Sequence, residues 1–161
     1  MTQQFVATRP DQIADPATLL SMPGIEFIRA IFEGRIAGAP IAGLMDFRLH
    51  LVEEGRVIFR GKPGFQHLNP MGGVHGGWYG TILDSALGCA VATTLPKGRG
   101  YTTLEYKINI TRALPLGTEV DCEARVSHAG RTTGIAEGSI RGVADGKLYA
   151  TGSTTCLVLG G

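Results

Sequence analysis

Charge is scarce in this chain. Only 18% of its residues are Asp, Glu, Lys or Arg, against about 25% in ordinary soluble domains, so part of its surface is expected to be covered by another subunit. Neither sign prevails: 15 Lys plus Arg face 14 Asp plus Glu, a net charge of +1. No whole-molecule field then draws in nucleic acid or an anionic membrane, and an anionic ligand must be held locally. Cysteine is short too. Cys89, Cys122 and Cys156 are odd in number and widely spaced, which excludes a disulfide framework and a metal-ligand pair and fits small core residues in a reducing compartment. His50, His67, His75 and His128 lack zinc spacing, and there is no glycine-rich phosphate loop with its lysine. No apolar run approaches about 18 residues, and Met1 to Pro10 holds no signal-peptide core. The expectation is a soluble cytoplasmic protein with no metal and no cofactor.

Glycine is abundant instead. The 24 glycines are about twice the ordinary share of ~7% and imply many turns or close backbone approaches. At 161 residues the chain is one domain with a real core. Residues 1–22 read as a loosely held lead-in with a short helix around Ala17 to Ser21, and residues 23–161 as the domain. That domain opens with a helix at about 24–34, where Ile25, Phe27, Ile28, Ile31 and Phe32 share one stripe and Gly34 ends it. The period then changes to two. Met45 to Leu51 and Arg56 to Lys62 read as a hairpin turned by Glu54-Gly55, and alternation returns at Leu104 to Ile110 and Val120 to Val126. A strand at about 131–143, a two-residue Asp145-Gly146 hairpin turn and a last strand at 147–159 complete the order ββ-α-ββββ.

The middle segment differs from its surroundings. From His75 to Thr94, Trp78, Tyr79, Ile82, Leu83, Ala86, Leu87, Ala90 and Val91 recur as adjacent pairs every four positions, so the helix must be covered on most sides, naturally by a curled antiparallel sheet. Two features of it exceed what packing needs. Gly76 and Gly77 occupy its first turn, where unpaired N–H groups and partial positive charge suit an external oxygen. Asp84 is the sole charge between His75 and Leu95, and buried carboxylates are rare unless paired or employed. Each feature has a plain reading: a turn, a satisfied core residue, a capping His75. Cys89 reads as packing.

The run Asn69 through Asp84, with Asn six residues before the His of His-Gly-Gly and Asp nine after it, resembles the signature of hotdog-fold acyl-CoA thioesterases of the phenylacetate-degradation (PaaI-like) type. The likeness continues through Ser85-Ala86-Leu87-Gly88 and Tyr101 to Lys107, over about residues 24–158. It implies an α+β hotdog fold, a six-stranded antiparallel sheet wrapped around a long central helix, in a homodimer that pairs into a homotetramer. It implies that Gly76 offers the N–H that polarises the thioester carbonyl, and that Asp84 attacks that carbonyl or activates water. Asn69 would lie near the sulfur or the attacking water, and His75 would orient the region. Thr103 would hold the water, with Thr102 a competitor and Gly77 a further substrate contact. The end of the strand at Leu104 to Ile110 departs from the family, with Ala113 where Pro is common and Pro115 two residues later.

For the phosphates of a CoA substrate the candidates are Arg131, in the turn Ala129 to Thr132, with Lys107 or Arg112 behind it. The rivals to hydrolysis are a non-catalytic acyl-CoA-binding hotdog module, which has no use for Asp84, and a hotdog dehydratase of hydroxyacyl thioesters, which needs a His paired with a carboxylate. Along a helix Gly76 and Asp84 stand about 12 Å apart, too far for one thioester carbon. The two roles are therefore expected from different chains, with helices crossing near Gly80, where no side chain intervenes.

Overall fold

The computed structural model describes residues 4–160. The elements run α1 (Pro16–Leu20), α2 (Gly24–Phe32), α3 (Pro40–Leu44), β1 (Phe47–Glu53), β2 (Arg56–Gly61), α4 (Gly76–Ala92), β3 (Gly100–Ile110), β4 (Val120–Ala129), β5 (Thr133–Gly142) and β6 (Leu148–Leu159). All six strands form one antiparallel sheet in the order β1-β2-β4-β5-β6-β3. This is the hotdog arrangement expected, with α4 in the concave face.

Burial follows from the paired apolar pattern of α4. Ile82, Leu83, Ala86, Leu87 and Ala90 are fully buried against inward residues such as Val57, Val120, Cys122, Ala136, Ile140 and Cys156. A large aliphatic side chain buried this way contributes about 1.5–3 kcal/mol, so this layer supplies most of the driving force. α2 ends as expected: Gly34 takes φ 72, and the Arg35 N–H reaches back to the Ala30 carbonyl at 2.8 Å.

Four local expectations change. First, α3 is an element that periodicity does not reveal. Five residues are too few to show a period, and only Pro40 at its first position marks it. Second, residues 4–7 are not loose: the Gly38 N–H donates to Phe5 O at 2.8 Å, the Ala7 N–H to Gly38 O at 2.9 Å, and the Gln4 amide to Leu49 O at 2.9 Å. Third, the β5–β6 connection spans residues 143–147 rather than a two-residue turn; Gly146 takes φ 64 and its N–H donates to Gly142 O at 2.9 Å. Fourth, β3 starts at Gly100 and carries a bulge, its register slipping between Thr103 and Glu105.

That bulge decides which residues of β3 face α4. Strict alternation would put Thr103 and Tyr106 on opposite faces, but the extra residue reverses the parity and turns both inward. A Cβ added at Gly80 would lie 3.2 Å from the Tyr106 hydroxyl, and one at Gly88 2.8 Å from the Tyr101 hydroxyl. Gly76 approaches Ile110 in the same way, and Asp84 meets Thr103. Gly76, Gly80, Asp84 and Gly88 thus form one four-residue stripe on which the edge strand lies. The expectation for Gly80 is corrected: it is occupied by Tyr106 of its own chain and is not free for a second helix.

Gly88→Ala tests the stripe. Overpacking against Tyr101 costs about 1–3 kcal/mol, partly offset by the helix propensity of Ala, worth about 1 kcal/mol. The single variant should lose about 1 kcal/mol in urea unfolding. In a Tyr101→Ala background only the propensity remains, so the same substitution should stabilise. The same sign in both backgrounds would show that Tyr101 is not wedged on the helix.

Candidate active site

The start of α4 is built from a loop that closes on itself. The Asn69 Oδ1 accepts from the Met71 N–H at 2.9 Å and the Gly73 N–H at 3.1 Å, and the Asn69 N–H donates to Gly73 O at 2.8 Å. Gly72, at φ 82, supplies the left-handed position. His75 then acts as the N-cap: its Nδ1 accepts from the Gly77 N–H at 2.9 Å and its carbonyl from the Trp78 N–H at 2.9 Å. Among the described residues the Gly76 N–H has no partner, and Gly76 is half-buried. One amide of the first turn is left open, and His75 decides which. The N–H of Gly77, the residue expected to contact substrate, is taken by His75.

His67 anchors this loop, a role that sequence reasoning missed. It is buried, its Nδ1 accepts from the Gly64 N–H at 2.8 Å, and its Nε2 donates to Leu44 O at 2.8 Å. Its carbonyl accepts from the His75 N–H at 2.8 Å. Nothing in its spacing signals this, because its partners are backbone groups that any residue could supply.

Asp84 lies two turns further on. Its Oδ1 accepts from the Thr103 hydroxyl at 3.1 Å, and it joins no ion pair among the described residues. Thr102 points outward and is exposed, so Thr103 holds the position next to the carboxylate. Asp84 is the one carboxylate lining a cavity of about 470 Å³ whose apolar walls include Phe47, Leu49, Phe59 and Ile31, a size suited to a small-molecule group. Cys89 and Tyr101 also line it. Burial, with the Asp84 charge adding to it, pushes the Cys89 thiol up to about 12; burial raises the Tyr101 phenol well above its usual value as well. Neither is ionised at neutral pH, and Cys89 is packing, as expected.

Within one chain the candidates do not converge. Asn69, His75 and Gly76 stand at the N-terminal end of α4, and Asp84 with Thr103 about 12 Å along it. Lys107, Arg112 and Arg131 are exposed and line no part of the cavity. Arg131 sits beyond β4 at the sheet end nearest Thr103, since Thr132 O accepts from the Val158 N–H at 2.9 Å.

Residues 71–149 match the family model described as Thioesterase superfamily. Over 103 residues the chain is 32% identical to human acyl-coenzyme A thioesterase 13, covering 63% of this chain and 71% of that protein. The chain belongs to the thioesterase superfamily. A phenylacetic acid degradation-related protein of Ralstonia eutropha superposes on this superfamily member with a TM-score of 0.71 at 28% identity, over 84% of this chain and 98% of the other. A Streptococcus mutans protein bound to acetyl-CoA gives 0.66 at 28% identity, over 71% and 90%. The chain spans about half the length of two further relatives named as esterases, 55% of one from Caenorhabditis elegans and 49% of one from Halobacterium salinarum. No helix among the described residues is long and apolar enough to cross a membrane.

The capping role of His75 has a measurable consequence. His75→Ala should lose about 0.5–2 kcal/mol of stability in urea unfolding, and His75→Asn, whose side chain also caps well, should recover most of it. Equal stability of the three proteins would show that the imidazole does not hold the helix start.

Proposed function

We propose that the chain hydrolyses an acyl- or aryl-CoA thioester to the free acid and CoA. The reading rests on one observation: a single helix carries an open N-terminal amide at Gly76 and a lone carboxylate, Asp84, in the wall of an apolar cavity. The human relative's name and the acetyl-CoA bound to the Streptococcus protein support a CoA thioester as the substrate.

The chemistry needs little more. As oxygen adds to the thioester carbon, negative charge builds on the carbonyl oxygen, and a preorganised N–H stabilises it; such a donor is worth about 10²–10³ in kcat. Asp84 either attacks the carbon, giving an anhydride that water then cleaves, or takes the proton from an attacking water. In both routes the C–S bond breaks and CoA leaves as a thiolate, so no dedicated acid is required. The Thr103 hydroxyl fixes the carboxylate and can hold the water. Asn69 spends its Oδ1 on its own loop, leaving its Nδ2 to reach the substrate. Arg131 and Lys107 are proposed to meet the CoA phosphates. The dehydratase reading is disfavoured because the run after His75 resembles the thioesterase pattern better, and the His75 Nδ1 is committed to the Gly77 amide as a helix cap.

Because Gly76 and Asp84 are separated along one helix, each site is proposed to take Asn69 and Gly76 from one protomer and Asp84 with Thr103 from its partner. The strand β3 supports this: among the described residues its outer edge is unpaired, and Leu104 beside the bulge and the rims of Tyr106 and Ile110 on the face toward α4 stay 58%, 46% and 45% exposed. An apolar open edge invites pairing with a second copy. A homodimer, itself paired into a homotetramer, is proposed on this ground, and a cytoplasmic location goes with the three free thiols. Sedimentation at micromolar concentration should show no folded 17.0 kDa species.

Asp84→Asn should lower kcat for thiol release by about 10²–10⁴ while the oligomer still folds and binds CoA thioester. Unchanged kinetics would remove Asp84 from the reaction; binding without turnover in the wild type would favour a sensor. Refolding Asn69→Ala chains with equal amounts of Asp84→Ala chains, each inactive alone, should restore roughly a quarter of wild-type activity, since half the dimers are mixed and each has one intact site. Confirmed heterodimers with no restored activity would refute the shared site.

A further inference from the structure

The cavity beside Asp84 has a wall that does not come from the sheet or from α4. Phe5 and Val6 close it from the N-terminal side, and Gly38, Ala39 and Ala42 continue that wall around the start of α3. The strap formed by residues 4–7 is seated, not merely draped. It bridges to Gly38 in parallel and is pinned at its outer end by the Gln4 side chain on Leu49 O. Its seat is shaped for it: a Cβ at Gly43 would stand 2.8 Å from Val6 Cγ2, and one at Gly38 3.4 Å from Phe5 O and 3.6 Å from Val6 Cγ1. Ala7, at the inner end, is 2% exposed.

Two backbone hydrogen bonds and one side-chain bond hold the strap, fewer than the long ladders of the sheet supply, so it is the more weakly held part of the cavity wall. Much of the remaining wall belongs to the core of the sheet. A group anchored at Asp84 and extending into this space therefore meets a firmly held wall of Phe47, Leu49 and Phe59 and a more weakly held one at Val6.

We propose that the strap Gln4–Ala7, with Ala42 beside it, is the end wall of an acyl pocket and sets the bulk of the acyl group accepted next to Asp84. This rests on the reading of Asp84 as the carboxylate at the thioester carbon. It makes Val6 and Ala42 specificity-determining residues that lie away from the reacting atoms.

Three variants displace, shrink or thicken this wall. Gly43→Ala pushes Val6 from its seat, Val6→Gly removes its side chain, and Ala42→Leu fills the cavity from α3. For each, kcat/KM is measured for octanoyl-CoA and for acetyl-CoA, after thermal melts confirm folding. A methylene in an apolar pocket changes discrimination by about tenfold or more. The octanoyl-to-acetyl ratio should thus rise by about fivefold or more in Val6→Gly, change by about fivefold or more in Gly43→Ala and fall by about tenfold in Ala42→Leu. Dissociation constants of the thioethers S-octyl-CoA and S-methyl-CoA, which cannot be hydrolysed, read the same pocket without turnover. Thioether discrimination that moves with the strap, in a wild type that releases no thiol from any thioester, would sink the hydrolase reading and leave the pocket assignment standing. Discrimination within twofold of wild type in all three variants would overturn the pocket assignment, whatever the turnover.

Discussion

The seating of the edge strand β3 on one stripe of α4 is the contact on which the rest of this molecule depends. A helix apolar on most of its faces has to be enclosed, and a six-stranded sheet encloses it only if the last strand comes close. Glycine at 80 and 88 lets the rings of Tyr106 and Tyr101 lie where side chains would otherwise stand. Asp84 is the one residue of the stripe with a side chain beyond glycine's hydrogen, and the bulge after Thr103 brings a hydroxyl opposite it. A carboxylate without an ion partner is costly in an apolar interior. Here the cost is limited by the Thr103 hydrogen bond and by the cavity, which gives the second oxygen somewhere to face. The same cavity is where substrate chemistry has room to happen.

The helix start shows a second division of labour. Three N–H groups of the first turn need partners, and His75 provides for two of them, at Gly77 and Trp78. The helix dipole and the remaining orphan donor then coincide at Gly76, where no side chain obstructs an incoming oxygen. Upstream, the Nε2 of His67 and the Nε1 of Trp78 donate to Leu44 O and Met45 O, each at 2.8 Å. These carbonyls close α3, whose Ala42 lines the cavity. The open amide and the cavity wall are therefore held by the same few side chains, although they are separated along α4. His67 and Trp78 act by positioning, since neither lines the cavity.

Much of this was legible in the sequence, for a definite reason. The paired apolar spacing of α4, the alternation of the strands and the lone Asp84 are local patterns whose period or oddity survives without coordinates, and they led to the strand order ββ-α-ββββ and the central helix. The resemblance through Asn69 to Asp84 added the family. The capping reading of His75 and the packing reading of Cys89 were likewise open to view, because each depends on neighbours in the chain or on their absence. What escaped were features set by distant segments: α3, too short to show a period; the anchoring of residues 4–7 on Gly38; and His67, whose partners are backbone groups without a residue signature.

The sequence by itself determined the type of each long element, the covering of α4 on most sides and the placement of one acid and one glycine pair on that helix, because these follow from side-chain periodicity and local backbone preference. Tertiary structure alone decided which face each residue of β3 presents, since a single bulged residue reverses the parity of a strand. It chose Thr103 over Thr102, gave Gly80 to Tyr106 of the same chain, and left the Gly76 amide open while Gly77 was capped. Each of these is a contest for the same space or the same hydrogen bond, and such contests are settled only when the competing groups are brought together.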